Sequence, residues 1–195
     1  MRTVESLIDY LFEVRHGEKW YREGEDKVPE MINLLREATK TVKIAVGELN
    51  PDNFEREKVI VNFSSLLGKH VEIIIVCHKA DSKESAIEGF IKENPKLIEL
   101  KKRFPDKLIL YWQKERAEVH YCVVDEKHVR LDTPHLPYKG KVAVFKYNAE
   151  KLAKLWSERF DKLIANKDEC QEIQLEEIKE VETKFEASHS MHQGV

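Results

Sequence analysis

The chain has 195 residues, 42% hydrophobic and 35% charged, and its 33 Lys and Arg against 36 Asp and Glu leave a formal net charge of −3. That length supports one domain with a sizeable core and a short terminal addition. A balance so near neutrality gives no bulk electrostatic footprint for nucleic acid or a membrane surface, and no apolar run approaches the roughly 20 residues of a bilayer span. The N-terminus lacks the apolar core of a signal peptide. Cys77, Cys122 and Cys170 are odd in number and widely spaced, and two lie in apolar runs, which suits a reducing compartment. The expectation is a soluble, cytoplasmic protein.

In chain order, Val4, Leu7, Ile8, Leu11 and Phe12 predict an amphipathic helix over 2–15. Trp20 and Tyr21 follow in an edge strand or ordered loop. Pro29, Met31, Ile32, Leu35 and Ala38 predict a second helix, and Thr41–Gly47 a buried strand. Asn50-Pro51-Asp52-Asn53 supplies turn and cap chemistry before a helix on Val59, Ile60, Phe63, Leu66 and Leu67, with Gly68 as its C′ residue. His70–Cys77 is apolar on both faces, as in a central strand covered by helices. Asp81-Ser82 and Asn94-Pro95 start two further helices, and Lys107–Trp112 predicts another strand. Strands separated by helical patterns imply right-handed βαβ crossovers. A later strand, Val142–Tyr147, precedes the cleanest amphipathic helix, Leu152 to Ile164. The fold class read from this order is α/β, a mixed, largely parallel sheet with helices on both faces. The domain spans 1–165, and 166–195 reads as an acidic, peripheral helix carrying Leu175, Ile178, Val181 and Phe185, followed by a disordered tail.

Between these elements lies Ala117–Pro137. Period-two spacing puts Glu118, His120, Cys122 and Val124 on one face of a strand. Asp125-Glu126-Lys127 then turns into a second short strand, His128–Leu131. This stretch resembles the signature of the phospholipase D superfamily, in which H-x-K-x-x-x-x-D runs down a strand and G-S-x-N follows. Anchored on Asp125, Glu118 stands at the family's histidine, His120 at its lysine, Asp132-Thr133 at its Gly-Ser and His135 at its asparagine. Only the aspartate is kept. Anchored instead on His120 as the histidine, Cys122 takes the lysine position and Lys127 the aspartate position. The first register is preferred, because it alone reproduces an apolar run ending in an aspartate-led turn. The resemblance covers Trp20 to Ile164 and implies a single phospholipase D-like half, for which a homodimer is the implied assembly.

In the resembled enzymes the histidine is the nucleophile, the lysine holds phosphate oxygens and the aspartate orients a histidine. Glu118, His120 and Asp125 sum to two negative charges with histidine neutral, which repels a phosphodiester and supplies no cation for it. The expected function is therefore a catalytically degenerate phospholipase D-like module with an interaction or regulatory role, its ligand an anion, a nucleic acid or a protein. Arg116 and Arg130 are the anion-binding candidates, with Thr133 and His135 at the ligand-binding positions of the signature. The alternative is a divergent phosphodiesterase or metal-dependent hydrolase using His120 with Glu118 and Asp125. No cofactor and no metal centre is expected, since the spacing of Glu118, His120, Asp125 and His135 is not diagnostic. His70 and His78 read as polar strand-end residues.

Overall fold

The structure, a computed structural model, describes residues 18–21, 25–78, 80–115, 119–132 and 142–190. Among them, eight strands form one sheet: β1 (Glu18–Tyr21), β2 (Thr41–Val46), β3 (Glu72–Cys77), β4 (Leu108–Gln113), β5 (His120–Val124), β6 (His128–Asp132), β7 (Ala143–Lys146) and β8 (Cys170–Glu172). Their order is β1-β7-β6-β5-β2-β3-β4-β8. The helices are α1 (Val28–Arg36), α2 (Pro51–Phe54), α3 (Glu57–Gly68), α4 (Lys83–Glu93), α5 (Pro95–Arg103), α6 (Glu150–Ala165) and α7 (Leu175–Ser190). The expected helix over 2–15 lies outside the described residues. None of the described helices is long and apolar enough to cross a membrane.

The mixed α/β sheet with helices on both faces is as expected, but it is less parallel than the sequence suggested. Only β2–β3 and β3–β4 run parallel, and every other neighbouring pair is antiparallel. The physical reason is the length of the connections. A parallel neighbour needs a crossover of about a dozen residues or more, usually helical; helices separate β2, β3 and β4, whereas the chain from β5 to β6 (125–127) and from β6 to β7 (133–142) is shorter than that. Alternation along the strands divides the core. Ile44, Ile75, Leu110, Cys122 and Phe145 pack on one face against α1, α3, α4, α5 and α7. Ala45, Val76, Tyr121 and Leu131 pack on the other against Trp156 and Phe160 of α6.

Two local expectations are corrected. Gly68 is the last helical residue of α3 rather than its C′ residue, and His70 takes the left-handed position at φ 66°. His70 N–H donates to the Leu67 carbonyl and Val71 N–H to the Leu66 carbonyl, the two bonds of a Schellman motif. The segment beyond Ala165 is also more than a peripheral addition. β8 pairs with β4, Ile173 and Ile178 are fully buried, and α7 packs on α4. The apolar stripe of α7 therefore finds its partner within the chain and gives no argument for a dimer.

Candidate functional site

The parallel strands β2, β3 and β4 end together at Val46, Cys77 and Gln113, the edge where open α/β sheets place their ligands. Because β5 runs antiparallel to β2, its first residue, His120, emerges at that same edge. Because β6 returns antiparallel to β5, its last residue, Asp132, stands directly opposite His120. His120, Asp132, His78 and Gln113 thus collect at one end of the sheet through strand direction alone. His78 follows β3, and its Nδ1 lies 3.0 Å from the Gln113 carbonyl, so Nδ1 carries the proton and Nε2 is left as the second hydrogen-bonding position. Trp112 Nε1–H donates to the Ala80 carbonyl at 3.0 Å and holds the loop beyond β3 against β4.

Arg130 lies two residues before Asp132 on β6, on the same strand face. Its Nε and Nη2 donate to the two oxygens of Asp132 at 3.0 and 2.6 Å, a bidentate pair. Its Nη1 lies 3.6 Å from Met31 Sδ, and the guanidinium sits over the Phe145 ring at 5.6 Å. Arg130 was expected as a cation for an anionic ligand; the structure spends its charge on Asp132. Cys122, opposite Arg130, is buried, and desolvation pushes its thiol up to about 12, so it is a core residue rather than a nucleophile.

Asp125 does not join this edge. It follows β5 at the opposite end, five residues beyond His120 and so roughly 16 Å away at about 3.3 Å per residue. The expected cluster of Glu118, His120 and Asp125 at one strand end is therefore corrected for Asp125. Asp125 and Glu126 both take positive φ, 52° and 53°, and Lys127 N–H closes on the Val124 carbonyl at 3.0 Å, while the register pairs Val124 with His128, so Asp125, Glu126 and Lys127 form a three-residue hairpin loop. This turn aims the carboxylate at the start of β2. One oxygen accepts from the backbone N–H and the hydroxyl of Thr39, both at 2.7 Å, and the other from Lys40 and Thr41 N–H at 2.9 and 2.8 Å. Burial pushes the carboxyl pKa up, but the Thr39, Lys40 and Thr41 donors outweigh it and hold the group below the ordinary aspartate value. On the far side of the turn, Ser157 Oγ donates to Glu126 at 2.9 Å and itself accepts from Lys43 Nζ at 2.8 Å. Asp125 is thus a structural clamp between the β5–β6 turn and β2.

Glu118, Arg116, Thr133 and His135 lie outside the described residues. Among the described residues, no group of three His, Cys, Asp or Glu side chains is arranged to hold a metal ion. Sequence reasoning missed the Arg130–Asp132 pair, although an Arg-x-Asp spacing within one strand puts both side chains on one face and was its visible signal.

No protein-family profile and no curated protein matches the chain. Solved structures do. The chain is similar to TrmBL2, an archaeal chromatin protein whose structure shows a novel mode of DNA binding, with a TM-score of 0.58 and 16% identity over 83% of this chain and 58% of that one. It is similar to Nuc from Salmonella typhimurium, a phospholipase D family member, with a TM-score of 0.55 and 12% identity over 80% of this chain and 96% of that one. It is also similar to phosphatidylserine synthase from Haemophilus influenzae Rd KW20, with a TM-score of 0.53 and 11% identity over 89% of this chain and 45% of that one. The chain spans a little over half of the chromatin protein. The fold is phospholipase D-like, and at these identities the likeness carries the fold alone.

Proposed function

We propose that this chain is a phospholipase D-like module that binds a partner rather than cleaving a phosphodiester, and that it works as a homodimer in an interaction or regulatory role. The observation that carries this reading is the state of the position where the resembled enzymes hold their phosphate-binding lysine. It is His120, and its cross-strand neighbour is Asp132, whose carboxylate is bonded to Arg130. Arg130 and Asp132 cancel, so neither supplies net positive charge to gather a phosphate, which phosphoryl chemistry requires. A nucleic-acid ligand draws support from the likeness to a DNA-binding chromatin protein. The alternative of a divergent phosphodiesterase loses Asp125 as a partner of His120, since its carboxylate is engaged at the other end of the strand.

The test is hydrolysis of a chromogenic phosphodiester by the wild type and by Glu118→His/His120→Lys, which restores the family residues in the preferred register. The wild type should show no turnover and the double variant a measurable gain. Wild-type turnover abolished by His120→Ala would establish the enzymatic reading instead. Anisotropy of a labelled duplex at low and moderate salt then asks whether nucleic acid is the partner, with a linear fall of log affinity against log salt expected for phosphate contacts.

A further inference from the structure

Among the described residues, three helix starts carry a residue suited to capping at the position just before the helix, and two of them use it. Asn50 accepts from Asp52 N–H, at the second helical position of α2, and Ser82 Oγ accepts from Ser85 N–H, at the third of α4. The third is Asn94, which directly precedes α5 with Pro95 at the first helical position. Its side chain should accept from Lys96 or Leu97 N–H. It makes no cap bond: Asn94 is fully buried, and neither its amide nitrogen nor its amide oxygen has a partner. The two donors are taken. Glu55 reaches across from the end of α2, its oxygens accepting from Lys96 N–H at 3.2 Å and Leu97 N–H at 3.0 Å. The backbone of Asn94 reflects this, with φ −127° but ψ only 50°, whereas Ser82, which does cap, is extended at ψ 153°.

A buried amide with two unsatisfied groups costs stability, and its place at the cap position of a helix capped by another residue gives it a role in a second arrangement. We propose that Glu55 and Asn94 are alternative caps of α5, so that the loop from β2 to α3, which leaves the sheet at the candidate-site edge, has two positions. In the first, Glu55 ties the loop to the α4–α5 corner. In the second, Glu55 turns out to water and the Asn94 side chain turns so that its oxygen accepts from Lys96 or Leu97 N–H. Leu49 and Phe54 are buried and keep the loop seated, which confines the motion to the end of α2. Arg56 shares that end, and its Nη1 lies 3.0 Å from each oxygen of Asp26 at the entrance to α1, so the exchange reaches the helix whose Met31 touches Arg130. The exchange stands independently of what the site binds.

The experiment is a cycle of wild type, Glu55→Ala, Asn94→Ala and the double variant, followed by urea unfolding and by hydrogen exchange at the Lys96 and Leu97 amides. With Glu55 present, Asn94→Ala should leave the unfolding constant unchanged or lower it. With Glu55 absent, Asn94→Ala should raise it by about fivefold, the effect of a typical lost N-cap. Glu55→Ala alone should keep exchange protection at one of the Lys96 and Leu97 amides within about threefold of wild type, less than one N-cap is worth, and the double variant should lose it at both. An equal effect of Asn94→Ala in both backgrounds, or protection lost at both amides in Glu55→Ala alone, overturns the proposal. So does a Glu55→Ala protein that cannot fold, because a spare cap should prevent that.

Discussion

Replacing Asp125 tests whether it is a structural clamp or a catalytic group. The carboxylate accepts four hydrogen bonds, three from the backbone that begins β2 and one from the Thr39 hydroxyl. A hydrogen bond to a charged group contributes about 1.5–3 kcal/mol net. Asp125 is partly exposed, so screening and re-solvation of the freed donors bring each bond to the low end or below, and the four do not add. Asp125→Asn keeps one acceptor oxygen and tolerates the left-handed turn, so it should cost about 1–2 kcal/mol. Asp125→Ala loses every acceptor and places a side chain with no local hydrogen bond at φ 52°, and should cost about 3–4 kcal/mol. The assay is urea unfolding at neutral pH, read as a shift in midpoint at constant m. The sign with pH also follows. The folded pKa lies below the unfolded value of about 3.9, so the stabilisation is fully present above that value and is lost as pH falls through the folded one. The gap between wild type and Asp125→Asn should therefore narrow in acid. An Asp125→Asn protein within about 0.5 kcal/mol of wild type, or a gap that widens in acid, would refute the clamp, whose predicted cost is several times larger.

His70→Gly should stabilise the protein by about 0.5–1 kcal/mol in the same assay, because it removes a left-handed non-glycine residue from the end of α3 without touching either Schellman bond. Ile178→Ala should cost about 2–4 kcal/mol while Lys102→Ala, which breaks a partly exposed pair with Glu182 at 2.6 Å, should cost under about 1 kcal/mol. The reverse order would mean that charge rather than apolar contact docks α7. Light scattering at tens of micromolar should return a dimer mass, and a monomer would remove the assembly that the resemblance implies.

The parts of the fold that the sequence made plain are those where burial is local. The β3 run of Ile73, Ile74, Ile75 and Val76 is a central strand with helices on both faces, and the β5–β6 hairpin falls at the aspartate-led turn. Strand direction was less legible, because side-chain period is the same in parallel and antiparallel strands; only the shortness of the connections from β5 to β6 and from β6 to β7 carries it. β8 has no apolar run, and its three residues, Cys170, Gln171 and Glu172, become a strand because β4 offers an edge. The role of Asp125 could not be read locally at all, since its partners lie 84 to 86 residues away. His120 and Asp132 were both visible as polar strand-end residues, but that they face each other depends on the register the turn imposes.

The outermost strands of the described sheet, β1 and β8, have four and three residues. Adding a strand from another molecule depends on a row of exposed N–H and C=O groups long enough to template it. Among the described residues, neither edge strand offers a row longer than four residues, so a homodimer made by extending one sheet into the next would have only that short template. The same shortness keeps a fold with so much hydrogen-bonded strand from offering its edges to amyloid-like stacking.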